Sequence, residues 1–367
     1  MTNIGAVTDA AAFRAQFPVL ERKAYMNAGT EGPLPRAAAD AVRERIAFEL
    51  EGGRSGSEYF DSVRGPAGEL RAAYARVLHA DPSNVALTGS TTDGCNTILS
   101  GLDLRAGDQV VTSDEEHPGL LAPLGRLRRA GVDVRIAPFD EIADAVSGAT
   151  RLVAVSHVSW VSGRVVDTDA LTATGVPFLL DAAQSIGAVP TDMDELGCAF
   201  YAGSGQKWLC GPEGSGALYI RRDQLDELNA PWPGYASLAD ATDALNSGPA
   251  PDAGRLDHGF PPGMRSAWAL ASISVLEGAG WEWVHTRAAT LAASLAEQLS
   301  DHGLEVGPRG RSTLVSWKVD DPEAEVAQLA EAGVVVRSIP SHGLVRASVG
   351  AWSDEQELAR IVALAAA

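Results

Sequence analysis

Positive charge is in short supply in this sequence. Lysine and arginine together number 29 against 48 aspartates and glutamates, for a formal net charge of -19. Nucleic acid and anionic membrane both need clustered basic residues, so neither is an expected partner. The acidity reads as a solubility feature. Long apolar runs are missing too: no stretch approaches the roughly 20 residues that span a bilayer. The opening residues, MTNIGAVTDAAAFRAQFPVL, have no basic start followed by an apolar core, so no signal peptide is expected. Cysteine is scarce. Cys95, Cys198 and Cys210 form no metal-type spacing, so no metal is expected, and an odd count suits a reducing compartment. The cytoplasm is the expected location. Repeats and low-complexity tracts are also absent.

What is present is globular: 46% hydrophobic and 21% charged residues over 367 positions, enough for a large domain and a smaller one. Short apolar runs alternate with helical patterns: NVALTGS (84–90), DQVVTS, DVRIAPF, RLVAVSHVSW, VPFLLDAAQSIG and CAFYAGSGQKW. That alternation predicts an α/β fold with a mostly parallel sheet covered by helices. Ligands bind such sheets beyond the carboxyl ends of the strands. Gly89–Thr92, Glu116–Gly119, Ser156–Gly163, Asp181–Ser185 and Ser204–Lys207 should therefore gather at one site. The Pro/Gly/Asp-rich stretch from about 230 to 260 predicts a long ordered excursion near the site or at a subunit contact. A long helical stretch follows over about 264–302. An α+β segment comes next, ending in a helix started by Ser353 with Gln356 as a capping box. The expected division is an N-terminal segment 1–24 packing with the small domain, a large domain 25–284 and a small C-terminal domain 285–367.

The most unusual residue is Lys207, set among small and apolar neighbours in YAGSGQKWLCGPEG. Lysine is rarely buried, because desolvating an ammonium is costly unless it is paired or used chemically. It either snorkels to water or its amine is needed where it stands. In LTGSTTDG a strand runs into a helix start, where Ser90, Thr91 and Thr92 either cap the helix or help its free N–H groups hold a phosphate. Asp181, ending the apolar strand FLLD, either caps a following helix or faces a protonated ring nitrogen. Gln184 would lie on the same side one turn later and could donate to a ring oxygen. His117 in DEEHPGLL is a loop histidine or an imidazole stacked on a planar heterocycle. Arg346, inside GLVRASVG, suggests bidentate binding of a carboxylate or an inter-domain salt bridge. Taken together, a phosphate cradle, a stacking ring, an acid for a pyridinium nitrogen and a near-buried lysine match the needs of pyridoxal 5′-phosphate. The lysine would form the Schiff base, its pKa lowered by burial, and the ring would act as the electron sink.

From MNAGTEGPLP (26–35) to VRASVGAWSDEQEL (345–358), and most specifically over residues 179–220, the chain resembles fold-type I pyridoxal-phosphate enzymes of the class V aminotransferase superfamily. That group includes cysteine desulfurases, cystine C–S lyases, isopenicillin epimerase-like proteins and kynureninases. The resemblance implies a large domain with a mostly parallel seven-stranded sheet, a small C-terminal α+β domain and a homodimer. It places Thr91 and Ser204 at the phosphate, His117 on the ring, Asp181 at the pyridine nitrogen, Gln184 near the phenolic oxygen and Arg346 at the substrate carboxylate. Asn27, Ala28 and Gly29 are substrate-side candidates, a plain turn being the alternative. Two departures stand out: Gln206 occupies the position of a phosphate-touching histidine, and Ser159 that of a common asparagine.

No cysteine follows Cys210, so a mobile desulfurase thiol is not expected. EEHPGLL, SHVSWVSG and QKWLCGPEGSGALYI look most like the cystine lyase and epimerase-like branch. The expected reaction is β-elimination from an S-substituted cysteine or its sulfoxide, releasing thiol or sulfenate, pyruvate and ammonia. The alternatives are epimerisation, transamination or desulfuration at Cα. A different class of reading is an idle cofactor-fold protein that senses an amino acid.

Overall fold

The structure is a computed structural model that describes residues 9–366; of the expected N-terminal segment 1–24, residues 1–8 lie outside the described residues. Seven strands build the main sheet: β1 (Val85–Thr88), β2 (Gln109–Ser113), β3 (Asp133–Ala137), β4 (Thr150–Ser156), β5 (Phe178–Asp181), β6 (Phe200–Ser204) and β7 (Gly216–Ile220). Their spatial order is β1-β7-β6-β5-β4-β2-β3. Only β7 runs against its neighbours, β1 and β6; every other pairing is parallel. This is the α/β, fold-type I arrangement. Successive side chains of one strand point to opposite faces, so each central strand feeds two cores. Tyr201, Leu180, Val153 and Val111 enter one apolar cluster, while Phe200, Leu179, Leu152 and Val110 enter the other. That double burial is why the strands read as continuous apolar runs. Edge strand β3, by contrast, exposes three of its five residues.

Register fixes where the strand ends lie. Ser156 pairs with Asp181, and Asp181 pairs with Ala202. The helix Thr91–Gly101 packs so closely on β6 that a Cβ on Gly94 would come 2.8 Å from the Ala202 Cβ. Its first turn is thereby delivered to Ser204.

A second, antiparallel sheet contains β8 (Leu314–Lys318), β9 (Arg337–Ile339) and β10 (Leu344–Ser348) in the order β9-β10-β8. It has its own core, in which Trp317, Val345 and Ala347 meet Leu295, Leu299, Leu358 and Ile361. The segment Ala24–Tyr25 pairs in parallel with Val334–Val335. The chain then runs beside β10, with a bridge between Asn27 and Ser348.

Two boundaries differ from expectation. The helical stretch after 262 is two helices, Gly263–Ala279 and Trp281–Asp301, divided at Gly280. The last helix, Glu355–Ala365, is capped by Asp354 rather than Ser353. Asp354 accepts from the Glu357 N–H at 2.9 Å, and the Glu357 carboxylate accepts from the Asp354 N–H at 3.1 Å. A carboxylate holds a helix N-terminus better than a hydroxyl because it also meets the helix dipole. Among the described residues no helix is long and apolar enough to cross a membrane.

Arg14 joins the two ends of the chain. Its guanidinium donates to both Glu357 oxygens, at 2.9 and 2.7 Å, and to the Trp352 carbonyl at 2.7 Å. Replacing Arg14 with Ala leaves the buried Glu357 carboxylate without its cation. The expected cost is about 2 kcal/mol, read as a lower denaturation midpoint, and the loss should shrink in Arg14→Ala/Glu357→Gln.

Candidate active site

The helix start at Ser90 and the end of β6 form one corner of the cleft. Ser90 is the helix cap, its Oγ accepting from the Asp93 N–H at 3.1 Å. Thr91 donates its N–H to Ser204 Oγ at 3.0 Å, and the two hydroxyls lie 2.8 Å apart. Thr91 and Ser204 are thus brought together at a helix N-terminus, the setting an anionic group favours. Thr92 is exposed on the outer side of the same turn, and its hydroxyl abuts Gly119.

Asp181 is buried at the end of β5, and one of its oxygens accepts from the Ala183 N–H at 3.0 Å. No helix begins there for it to cap; residues 183–188 form turns. No ion pair meets it among the described residues, and burial pushes its pKa up, opposed by the Ala183 N–H and by Lys207. The structure behind it is polar and closed. Glu116 accepts from Ser113 Oγ at 2.5 Å, from the Ser156 N–H at 3.0 Å and from Ser156 Oγ at 2.6 Å, and burial raises it to about 7. Tyr201 bonds Ser185 Oγ at 2.8 Å, and the His157 N–H bonds the Asp181 carbonyl at 2.9 Å.

His117 caps the helix Pro118–Arg129, its Nδ1 accepting from the Gly119 N–H at 3.0 Å. That bond puts the ring proton on Nε2. Burial lowers the imidazole to about 4, and the cations Lys207, Arg337 and Arg346 add to the effect, so the ring is neutral at ordinary pH. The Trp160 indole stands edge-on to it at 5.0 Å.

Lys207 is one of three lysines; Lys23 and Lys318 are exposed. The Lys207 side chain is only part-buried because it opens into the cleft, yet protein crowds the amine. Its pKa is lowered to about 8, first by desolvation, then by Arg346 and Arg337, while Asp181 and Glu31 oppose the drop. Arg346 is wholly buried. Its Nη1 donates to the Trp160 carbonyl at 2.6 Å, and its Nε and Nη2 have no partner. No carboxylate lies within ion-pair distance of it among the described residues, so it is no inter-domain salt bridge. Burial and the neighbouring Arg337 lower it to about 9. Gly29 lies against it: a Cβ there would stand 2.8 Å from Arg346 Nη2, 2.7 Å from Ser348 Oγ and 2.8 Å from Gln184 Oε1. Only glycine leaves that space.

Several expected residues turn out to be engaged elsewhere. Ser159 Oγ is turned away from the cleft, bonded to the Glu115 carboxylate and to the N–H groups of Val161 and Ser162 at 3.1 Å each. Gln184 ties the substrate-side turn to the lysine loop, donating to the Gly29 carbonyl at 2.8 Å and accepting from Trp208 Nε1 at 3.2 Å. One amide hydrogen remains for any other contact. Ala28 is fully buried, its side chain part of the larger apolar cluster. Asn27 closes the turn, bonding Thr30 through its side chain at 2.9 Å. Gln206 Oε1 is buried without a partner. Sequence reasoning missed Arg337, which pairs directly with Arg346 across β9 and β10. Its guanidinium lies 5.6 Å from the Trp160 ring centroid and reaches Thr30 Oγ1 at 3.3 Å. The signal was available: Arg337 interrupts VVVRSI as Arg346 interrupts GLVRASVG.

The Lys207 amine should therefore react with an acylating amine reagent at a rate that rises with pH and levels above about 8. Removing a like charge in Arg337→Gln should move that midpoint upward. Peptide mass spectrometry resolves the three lysines, and Lys23 and Lys318 serve as internal controls.

The Aminotransferase class-V family profile matches residues 28–361. A probable cysteine desulfurase of Methanothermobacter thermautotrophicus is 29% identical over 94% of this chain and 94% of its own. The isopenicillin N epimerase of Streptomyces clavuligerus is 29% identical over 65% of this chain and 62% of its own. Among solved structures, the cystine C-S lyase C-DES in complex with its product cysteine persulfide superposes with a TM-score of 0.91 at 29% identity, covering 96% of this chain and 99% of that one; C-DES uses a covalently linkable PLP cofactor. With the profile spanning nearly the whole cleft-forming chain, from the turn at Ala28 to the last helix, the protein belongs to the aminotransferase class-V family.

Proposed function

We propose that this chain is a pyridoxal-phosphate C–S β-lyase acting on an S-substituted cysteine, its sulfoxide or a disulfide of cysteine. The cofactor of the family is pyridoxal 5′-phosphate, and the cleft fits it. Thr91, Ser204 and the helix N-terminus would hold its phosphate, His117 would lie on its ring, Asp181 would meet its ring nitrogen and Lys207 would hold its aldehyde carbon. The fit rests on an observation: Asp181 is a buried carboxylate with a single backbone N–H as partner, which a protonated nitrogen would complete.

The observation that carries the amino-acid reading is Arg346. A wholly buried guanidinium with two unpartnered nitrogens is costly by several kcal/mol unless an anion meets it. An α-carboxylate, which takes a guanidinium in bidentate fashion, suits it. When bound, the cofactor supplies an electron-withdrawing ring that makes the substrate Cα–H acidic. Lys207, readily neutral because its pKa is near 8, is the base that takes this proton and can return it. Arg346 holds the carboxylate and so sets the direction of the Cβ–S bond. Arg337 stands beside it with one long bond to Thr30, and favours a sulfur substituent ending in an oxygen-rich group. The overall balance is R–S–CH2–CH(NH3+)–COO− plus water giving R–SH, pyruvate and ammonium.

The thiols support elimination rather than sulfur transfer to the enzyme. All three cysteines are buried, and burial pushes Cys198 up to about 12 and the Cys95 and Cys210 thiols upward as well. A thiol held that way is a poor nucleophile. The second reading, desulfuration of free cysteine, is favoured by the desulfurase relative that covers 94% of the chain. Both readings break the same C–S bond and differ in the carbon product. A homodimer is also proposed, because Leu50, Phe60 and Ile46 leave apolar surface exposed on the helices Arg36–Gly52 and Gly56–Val77; light scattering of the purified protein reads this directly.

Cofactor-loaded protein should release pyruvate and ammonium in equal amounts from cystine or a cysteine sulfoxide, and Lys207→Ala should abolish it. Alanine without pyruvate from free cysteine would instead select desulfuration; inversion at Cα without either product would select epimerisation. Arg346→Gln should raise KM by roughly 100-fold.

A further inference from the structure

Lys207 sits on a loop, not on a helix or strand, so something must fix where its amine points. The loop leaves β6 at Gly205 and returns to β7. It is closed by its own backbone, with the Gly205 N–H on the Ser215 carbonyl at 2.8 Å, Gly211 on Gly205 at 2.8 Å and Cys210 on Lys207 at 3.1 Å. On one side the substrate turn supports it, the Gly32 N–H donating to the Gln206 carbonyl at 2.8 Å. Beside it lies a cavity of about 500 Å³, lined among others by Glu31, Gly32, Gly211, Pro212 and Trp268. Side-chain packing is therefore incomplete along the far limb of the loop, at Gly211, Pro212 and Glu213.

Cys210 carries the strain of this closure. Its φ is +56°, and the only other non-glycine residue with positive φ among the described residues is His79. Side chains avoid that region, and a residue stays there only where its surroundings over-determine it. What over-determines Cys210 comes from outside the loop. Its carbonyl accepts the Trp268 Nε1–H at 2.9 Å and the Ser272 Oγ–H at 2.8 Å. These donors are four residues apart, on one face of the helix Gly263–Ala279, and both lone pairs of the carbonyl are taken. Cys210 itself is buried, and its Sγ faces Gly32.

We propose that Trp268 and Ser272 are positioning residues for Lys207, holding Cys210 in its left-handed conformation and thereby fixing the site and protonation of the lysine amine. The inference rests on Lys207 being the residue that holds the cofactor and is independent of which reaction follows at Cα. It also gives Cys210 a role in which its backbone, not its thiol, matters. Releasing the carbonyl lets Cys210 relax out of the strained region, and the lysine three residues before it moves with the hydrogen bond that joins them.

The test uses the cofactor-loaded protein. In Trp268→Phe/Ser272→Ala, kcat should fall by about 10-fold, as expected for a reacting group displaced by less than an ångström, with KM changed little. The pH midpoint of the bound cofactor's visible absorbance should shift as well. Glycine occupies positive φ without penalty, so adding Cys210→Gly to this variant should recover most of the lost kcat and return the midpoint. Ser272→Ala alone, the mildest change, should show a smaller loss of the same kind. A double variant that melts earlier but keeps the wild-type kcat and midpoint would overturn the proposal. So would a loss that Cys210→Gly fails to recover, because packing rather than backbone conformation would then be at work. Borohydride reduction followed by peptide mapping tests the premise separately: cofactor found on another lysine, or on none, would sink the cofactor assignment along with the clamp.

Discussion

Positive charge is scarce in this chain, yet three cations are gathered where water is excluded. Arg346 and Arg337 bear on Lys207, opposed by the buried carboxylate of Asp181 and by the half-buried Glu31, and Arg337 bears on Arg346 as well. Desolvation makes Lys207 and Arg346 harder to keep charged, and the neighbouring arginine charges add to the effect. The lysine responds by giving up its proton near pH 8, which makes it a base. The arginine cannot readily do so and keeps two nitrogens without partners. A site arranged in this way is stable only inside a scaffold that resists relaxation, and an anion bound there would remove the imbalance.

The scaffold meets that demand by layering. The parallel strands set Ser156, Asp181 and Ala202 side by side by register, and behind them Glu116 accepts from Ser113 and Ser156 while Tyr201 and Ser185 bond each other. The phosphate corner depends on a helix lying close enough to the sheet to touch Ser204, a distance set by Gly94. The arginines come from a separate antiparallel sheet, carried to the cleft by the bridge between Asn27 and Ser348. The same substrate-side turn touches Gln184, Arg346 and the lysine loop. Small changes in that turn would therefore be felt by both the carboxylate anchor and the base.

The relatives divide between sulfur transfer, elimination and inversion at Cα, and the family's cofactor serves all three. Under the proposed reading, the placement of the thiols is what would separate them here. Desulfuration delivers sulfur to a nucleophile, and this chain keeps its three cysteines buried, the Cys210 carbonyl accepting from Trp268 and Ser272. Elimination asks only for a base, a carboxylate anchor and a leaving group held in line. In the proposed reading Lys207 would be that base and Arg346 that anchor, and the substrate would bring the leaving group.

Much of this was legible beforehand, for identifiable reasons. Apolar runs buried on both faces announce central parallel strands, and residues at their ends share one edge by topology, so Thr91, His117, Asp181, Ser204 and Lys207 could be grouped from sequence alone. Hydrogen-bond choices could not. Ser159 had the right address but gave its hydroxyl to Glu115; Gln184 spent its amide on Gly29 and Trp208; Ala28 turned into the core. Arg337 and the Trp268–Ser272 clamp escaped notice because their partners lie far along the chain. Periodicity and strand-end position are local properties, so the sequence by itself determined the sheet, the family with its cofactor, and which residues share the strand-end edge. Which polar atom meets which across long separations depends on packing at the scale of an ångström, and only the tertiary structure decided that.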